Sequence, residues 1–174
     1  MSIQVITGNA LDSKSDALII TIDGARRGME GNLARQFERR WPDDWADMQR
    51  TIPYPVPLGY TVPINWEGDS PWSWYLIAST LHHLNVLSDA DKVSIVKRAF
   101  LDALNHCHRL KLRSVATAVM RGGWRLSSQE AFHAMLAAWH ASLARHSGLH
   151  VQIFVLQESE QATLQAELSA HGMR

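Results

Sequence analysis

A short apolar run near the start of this 174-residue chain narrows its possible folds. Positions 17–22 read Ala-Leu-Ile-Ile-Thr-Ile, and the run is bounded by Asp16 and by Asp23-Gly24. It is too short for an ordinary helix, and apolar or β-branched residues at successive positions suit a strand that is covered on both faces. Such a strand belongs in the centre of a sheet that has helices on each side. The run therefore predicts a layered α/β domain.

Further strands and amphipathic helices alternate along the rest of the chain. The sequence predicts strands at residues 3–7, 59–64, 74–80, 114–119 and 151–156, and helices at residues 32–41, 89–108, 127–146 and 160–171. The helices follow from apolar residues spaced three and four apart, and the strands from short β-branched runs. This order predicts a three-layer α/β/α sandwich with a mixed, mostly parallel central sheet. The length predicts a single domain over residues 1–174.

Composition excludes several classes of protein. Seventeen basic residues balance seventeen acidic ones, so no overall positive field favours generic nucleic-acid binding. The single cysteine, Cys107, excludes an intrachain disulfide and every multi-cysteine zinc site. No apolar run is long enough to cross a membrane, and no export signal is recognisable at the N-terminus, so we expect a cytoplasmic protein.

Three glycine-containing loops follow the predicted buried strands, at residues 8–11, 23–31 and 121–125. In sheets of this class a ligand sits beyond the strand ends, where the strand-to-helix loops converge. The third loop is the most informative, because Ser127 and Glu130 form an S-x-x-E capping box that starts the next helix. Gly122 and Gly123 would then lie just before a helix N-terminus, where backbone N–H groups and the helix dipole favour a phosphate.

The side chains of the third loop allow two interpretations. Arg121 and Arg125 could contact an anion, and Trp124 offers a ring for stacking on a sugar or base. The alternative is a tight strand-to-helix turn with solvated arginines, since short glycine motifs are weakly specific. The second loop has the same ambiguity, because Asp23-Gly24 also suits a simple turn after a strand.

Taken together and in this order, the three loops resemble the macro domain family. The similarity is carried by Gly-Asn-Ala-Leu-Asp-Ser-Lys-Ser-Asp-Ala-Leu-Ile at 8–19, by Gly-Met-Glu-Gly-Asn-Leu-Ala-Arg-Gln-Phe at 28–37, and by Ser-Val-Ala-Thr-Ala-Val-Met-Arg-Gly-Gly-Trp at 114–124. The pattern is most similar to the branch that includes a terminal ADP-ribose glycohydrolase and the chromatin-remodeller macro module. The resemblance implies a macro-like fold and a pocket for ADP-ribose.

The resemblance also implies roles for individual residues. Asn9 stands where the family has an aspartate that grips the adenine amino group, and Trp124 stands near an aromatic residue that packs on the distal ribose. The two phosphate loops would be supplied by residues 23–31 and 121–124. The residues that this resemblance assigns to ligand binding are Asn9, Ala10, Gly24, Gly28, Glu30, Gly31, Arg121, Gly122, Gly123 and Trp124.

Four positions depart from the family pattern. Asn9 carries an amide instead of a carboxylate, and Met120 and Arg121 replace small residues before Gly122. Glu30 stands where the glycohydrolase branch has its covalent lysine, and a carboxylate cannot form a Schiff base. Lysine-based hydrolysis is therefore disfavoured.

Asp23 corresponds to the strand-end asparagine that other hydrolytic members use, and its carboxylate could orient or deprotonate a water. Asp23 is thus the candidate catalytic residue of an ADP-ribosyl hydrolase. Whether the chain is an enzyme stays open at this point.

The sequence thus favours a domain that binds ADP-ribose or a related nucleotide diphosphate, with removal of ADP-ribose from a modified protein as an extension of that role. The alternative is a degenerate macro-like domain that has lost the nucleotide and acts as a protein-interaction module. No cofactor is expected. No metal site is expected either, because the histidines, including His106, His108, His133 and His140, match no known ligand spacing.

Overall fold

A computed structural model describes residues 2–28, 31–123, 125–142 and 148–171. Within these ranges, six strands and five helices follow one another. The strands are β1 (Ser2–Thr7), β2 (Ala17–Asp23), β3 (Thr61–Asn65), β4 (Trp74–Leu81), β5 (Ser114–Ala118) and β6 (His150–Val155). The helices are α1 (Asn32–Arg40), α2 (Pro42–Thr51), α3 (Asp89–Arg109), α4 (Ser128–Ser142) and α5 (Glu158–Ala170), and a short 3-10 turn covers Ala10–Asp12.

The strands form one six-stranded sheet in the order β1-β6-β5-β2-β4-β3. All neighbouring pairs are parallel except β3 with β4, which are antiparallel. The antiparallel strand β3 lies at the edge of the sheet. Pro63 has no N–H to donate, and at an edge strand this removes no hydrogen bond from the interior of the sheet. The predicted mixed, mostly parallel sheet is confirmed.

Strand β2 occupies the interior position that its sequence predicts. Leu18, Ile19 and Ile20 are completely buried. Leu18 and Ile20 belong to one apolar cluster and Ile19 to the other, so the strand has a core on each face. A run without polar alternation is therefore explained by helices that cover both sides of the sheet.

The helices divide into two layers. Helices α1 and α2 cover one face, where Phe37, Trp45 and Met48 pack on the sheet. Helices α3, α4 and α5 cover the other face through residues such as Phe100, Phe132 and Leu164. The predicted three-layer α/β/α sandwich is thereby confirmed. No helix in the described ranges has the length and apolar character that a membrane span requires.

Helix α2 was not predicted. Pro42 ends the pattern of α1, and it also occupies the first turn of a second helix, where the missing N–H costs no hydrogen bond. The acidic residues Asp43 and Asp44 follow in that first turn, where the helix dipole favours negative charge. The helix predicted for residues 127–146 is confirmed as far as Ser142, and residues 143–146 lie outside the described residues.

Candidate functional site

A cavity of about 460 Å³ opens at the edge of the sheet where β1, β6, β5 and β2 end. The strands of this part of the sheet are parallel, so their carboxyl ends meet at one edge, which is where sheets of this class bind ligands. We call it the sheet-edge cavity. Its lining residues are Gly8, Asn9, Ala10, Thr21, Gly31, Asn32, Leu33, Gln36, Ala118, Val119, Arg121, Gly123, Ser128, Phe154, Val155, Leu156, Gln157 and Glu160.

Three helices begin at the sheet-edge cavity. Helix α1 starts after Gly31, and α5 starts after Gln157; neither of these N-cap residues makes a side-chain capping hydrogen bond. Helix α4 starts at Ser128, which also lines the cavity. The first N–H groups of a helix have no partner within the helix, and the dipole makes this end positive. These helix starts give the cavity N–H groups that can bind an anion, next to one carboxylate, Glu160, in the first turn of α5.

The third glycine loop leads into α4 as the sequence predicts. Gly122 and Gly123 both have positive φ, 58° and 70°, a backbone conformation that other residues adopt with strain. A Cβ on Gly123 would also lie 2.7 Å from Leu81 Cδ2. Gly123 lines the cavity, whereas Gly122 does not belong to its described lining.

The predicted capping box is confirmed. The Glu130 main-chain N–H donates to Ser127 Oγ at 3.2 Å, and the Ser127 main-chain N–H donates to Glu130 Oε2 at 2.9 Å. The Ser127 hydroxyl also donates to Glu130 Oε2, at 2.7 Å. These hydrogen bonds lower the pKa of Glu130, because they stabilise the ionised carboxylate. The box fixes the direction of α4 and hence the orientation of its free N–H groups.

Arg121 is the one cationic side chain in the described lining of the cavity, and Glu160 is the one acidic side chain. Arg121 Nε donates to the Leu126 carbonyl oxygen at 2.9 Å, so the guanidinium is held against the glycine loop that precedes α4. Arg125 lies elsewhere, with Nη1 3.4 Å from the Asn85 carbonyl oxygen. Of the two arginines that the loop offers, the structure brings Arg121 to the cavity.

Asn9 occupies the opposite part of the cavity, near the ends of β1 and β6. Its Oδ1 accepts the Leu11 N–H at 3.0 Å and so caps the 3-10 turn. Its Nδ2 donates to Gln36 Oε1 at 2.8 Å. The Phe154 ring lies close by, 3.8 Å from the position of a Cβ on Gly8. Ala10 lines the same region.

The second glycine loop is divided between the cavity and the core. Gly31 lines the cavity, but Gly24 and Gly28 do not belong to its described lining. A Cβ on Gly24 would overlap Ser79 Oγ and the Val56 carbonyl oxygen, so this glycine is required by packing. Placing Gly24 at the ligand is therefore a prediction that the cavity lining does not support. Glu30 lies outside the described residues.

Asp23 is buried at the end of β2, and its side chain is 1% exposed. Oδ1 accepts the Ala25 N–H at 2.9 Å, and Oδ2 accepts the His83 main-chain N–H at 2.8 Å. His83 Nδ1 lies 2.9 Å from the same Oδ2, so the ring donates to the carboxylate from this nitrogen. The carboxylate joins two loops, and it does not belong to the described lining of the cavity. A catalytic role for Asp23 stays a prediction.

Met120 departs from the family pattern, and Trp124 stands near its aromatic position. Met120 is 1% exposed and packs in the core with α4, where the Met120 N–H donates to Met135 Sδ at 3.5 Å. It does not occupy the described cavity. Trp124 lies outside the described residues.

Sequence reasoning missed several lining residues. Gln36 comes from the middle of α1, and Phe154, Leu156, Gln157 and Glu160 come from the end of β6 and the start of α5. These segments contain no glycine, so the search for glycine loops passed over them. The position after β6 does follow a buried strand, and that rule alone would have indicated it. Among the described residues, no group of three side chains is arranged to hold a metal ion.

The sequence matches no protein-family model and no curated protein. Solved structures are similar to it in fold. An alphavirus protein designated P23pro-zbd is 16% identical with a TM-score of 0.74, over 98% of this chain but 24% of that chain. This chain thus spans about a quarter of that alphavirus chain.

Two bacterial macrodomains are matched over most of their length. The macrodomain of Thermus aquaticus DarG is 20% identical with a TM-score of 0.68, covering 88% of this chain and 97% of that chain. The Oceanobacillus iheyensis macrodomain, in a structure with ADP, is 12% identical with a TM-score of 0.81, covering 96% and 90%. At these identities the likeness establishes the architecture. Together with the sheet order and the layers described above, it shows that this chain has the macrodomain fold.

Proposed function

We propose that this chain binds ADP-ribose or a related nucleotide diphosphate in the sheet-edge cavity. The observation that carries the proposal is the convergence of three helix N-termini and Arg121 on one cavity. Unpaired N–H groups at helix starts bind phosphate oxygens, and a guanidinium adds charge-assisted hydrogen bonds. A volume of about 460 Å³ lies within the range of small-molecule sites.

The structural neighbours support the same class of ligand. The Oceanobacillus iheyensis macrodomain has been solved with ADP, and a mutant of it has been solved with ADPR. Both ligands contain the diphosphate that the helix starts at this cavity would accept.

Binding without turnover is the function that the geometry supports best. Asp23, the candidate catalytic carboxylate, is buried and accepts three hydrogen bonds from Ala25 and His83. A carboxylate so engaged is poorly placed to take a proton from water. Removal of ADP-ribose from a modified protein would need another group, and Glu160 is the acidic side chain in the described lining.

A cavity filled by the protein's own side chains would favour the alternative, a degenerate domain that has lost its nucleotide. Met120, one of the residues that suggested it, packs into the core instead. Arg121 lines the cavity and adds a positive charge to it. Both placements favour a cavity that is open to a ligand over one filled by side chains.

The test places a negative charge at the helix start that faces the ligand. Ser128→Asp should weaken ADP-ribose binding at least tenfold in calorimetry, because its carboxylate would oppose the diphosphate. The same change should leave the melting temperature unchanged or higher, since an acidic residue in the first turn suits the dipole of α4. A folding defect therefore cannot explain the loss.

Ser128→Asn is the matched control, because it is similar in size to aspartate and uncharged. It should keep ADP-ribose affinity close to that of the unmodified chain. If the unmodified chain gives no heat and no melting shift at millimolar ADP-ribose, the proposal is wrong. Equal affinity in the Asp and Asn variants would remove the start of α4 from the site.

A further inference from the structure

One backbone N–H fixes the orientation of two side-chain amides in the sheet-edge cavity. The Leu11 N–H can only donate, so the Asn9 atom that it meets at 3.0 Å must be the carbonyl oxygen Oδ1. The other end of the Asn9 amide is then Nδ2, a donor, and its partner 2.8 Å away must be the acceptor Oε1 of Gln36. The remaining end of Gln36 is therefore its NH₂ group.

With these orientations, the two side-chain amides offer a ligand more donors than acceptors. Asn9 Nδ2 has a second N–H, and Gln36 Nε2 has two. Among the described residues, neither amide nitrogen has a further hydrogen bond. Each carbonyl oxygen already accepts one hydrogen bond, Asn9 Oδ1 from the Leu11 N–H and Gln36 Oε1 from Asn9 Nδ2, so one lone pair on each stands against three remaining N–H groups. Because both side chains line the cavity, the pair offers a ligand more N–H donors than acceptors.

The surroundings of the pair suit a flat base. Phe154 and Leu156 line the cavity on the same side, at the end of β6 next to the end of β1. The Leu156 side chain is unusually open for an aliphatic residue, since the residue is 64% exposed. A purine ring covering it would remove apolar surface from water. The phosphate-favouring groups, Arg121 and Gly123, lie beyond β5 on the other side.

We propose that the Asn9–Gln36 amide pair makes this cavity select a purine that presents acceptors at its edge, a 6-oxopurine such as hypoxanthine or guanine, over adenine. This inference rests on the proposed function, because it names the base of the same nucleotide diphosphate. A 6-oxopurine offers O6 and N7, which two N–H donors can bind together. Adenine offers N7 but presents a donor at position 6, which would face the donors of the pair.

The test compares ADP-ribose with its deaminated analogue, IDP-ribose, in which an oxo group replaces the amino group at position 6 and N1 carries a hydrogen. In calorimetry the unmodified chain should bind IDP-ribose about tenfold more tightly than ADP-ribose, the low end of the discrimination that a two-point base contact gives. Equal affinities, or tighter binding of ADP-ribose, would overturn the inference and leave nucleotide binding intact. If neither ligand binds, the proposed function itself is wrong, and the inference fails with it.

Two variants of the pair test the cause. Asn9→Asp keeps an oxygen for the Leu11 N–H but replaces the donor by an acceptor, and aspartate is as good a cap as asparagine. Gln36→Glu keeps an oxygen for Asn9 Nδ2 and replaces both remaining donors. Each variant should shift the affinity ratio toward ADP-ribose, since adenine has an amino group to donate.

Ser128→Asp is the control for added charge. It introduces the same negative charge at the start of α4, away from the amide pair, so it should weaken both ligands and leave their ratio unchanged. A ratio that moves equally in Ser128→Asp and in Asn9→Asp would show a general charge effect and would contradict base selection by the pair.

Discussion

Gly24 and Gly31 look alike in the sequence, but one is needed for packing and the other lines the cavity. Both belong to the loop after β2, and both resemble ligand-binding glycines. Only Gly31 reaches the sheet-edge cavity, whereas Gly24 lies against Ser79 and Val56. A glycine is required wherever backbone must approach something closely, and that neighbour can be a ligand or the protein itself. The sequence alone cannot tell the two apart.

The packing role of Gly24 can be measured. Gly24→Ala should lower the free energy of unfolding by about 3 kcal/mol, because a Cβ there overlaps two oxygen atoms of the core. Gly28→Ala is the comparison within the same loop: Gly28 has φ of 82°, but a Cβ there meets no described atom within 4 Å. We expect it to lower the free energy of unfolding by about 1 kcal/mol, the cost of left-handed backbone.

Urea unfolding of the two variants provides this comparison. A Gly24→Ala protein as stable as Gly28→Ala would show that the residues around Gly24 move apart easily. In that case the loop would be free to rearrange, and a role for Gly24 near a ligand would become tenable again.

At the scale of elements, the sequence predicts best where one segment carries its own signal. Strand β2 is recognisable because its apolar and β-branched residues form a continuous short run, and helix α3 because its apolar residues recur at helical spacing. The capping box of Ser127 and Glu130 likewise lies within four residues. These predictions needed no knowledge of the neighbours, and the structure confirms them.

The predictions missed one helix with an ambiguous start and two features that depend on distant segments. Helix α2 was hidden because Pro42 was interpreted as the end of a helix, when it also begins one. The pairing of Asn9 with Gln36 joins residues 27 positions apart, and nothing local in either segment indicates it. The part of the cavity formed by Phe154 and Leu156 depends on β6 lying next to β1, which only the sheet order reveals.

Asp44 connects the unpredicted helix α2 to the loop after β3. Its carboxylate accepts the Ser70 N–H at 2.8 Å and the Asp69 N–H at 3.3 Å. Burial raises the pKa of Asp44, but hydrogen bonds, chiefly from Ser70, outweigh that effect and hold the pKa below its ordinary value of 3.8. Because the folded-state pKa is depressed, the resulting stability is present above the unfolded value and is lost as pH falls through the folded value.

Asp44→Asn should therefore reduce the free energy of unfolding at pH 7 by about 1 kcal/mol, as one charge-assisted hydrogen-bond pair weakens. The difference from the unmodified chain should shrink below pH 4, because the unmodified carboxyl is then being protonated as well. Urea unfolding at pH 7, 5 and 3 measures this difference in the free energy of unfolding. Asp43→Asn, at the exposed neighbour in the same turn, should show a smaller difference. A pH-independent effect of Asp44→Asn would exclude the carboxylate charge as its cause.

Two apolar cores lie on the two faces of one sheet, and the candidate site lies at the edge of that sheet. Cys107, the single cysteine, lies in the core between the sheet and helices α3 to α5 and is fully buried. Burial raises the pKa of its thiol to about 12, so the thiolate is scarce in the folded state at neutral pH. The thiol can lose its proton to solvent and react with a thiol reagent only when the core opens.

The rate of Cys107 labelling therefore connects the core to the candidate site. A ligand that binds only the folded state, present at one hundred times its Kd, lowers the unfolded population about 100-fold. If the core opens only when the whole molecule unfolds, ADP-ribose at that concentration should therefore slow Cys107 labelling about 100-fold. Ser128→Asp, measured at the same ligand concentration, should lose most of this protection, whereas Ser128→Asn should retain it. Labelling at pH 8 with a chromogenic disulfide, in native buffer, gives the rates. Protection that is absent despite calorimetric binding would mean that α3 separates from the sheet while the cavity stays intact, so that the two cores open independently.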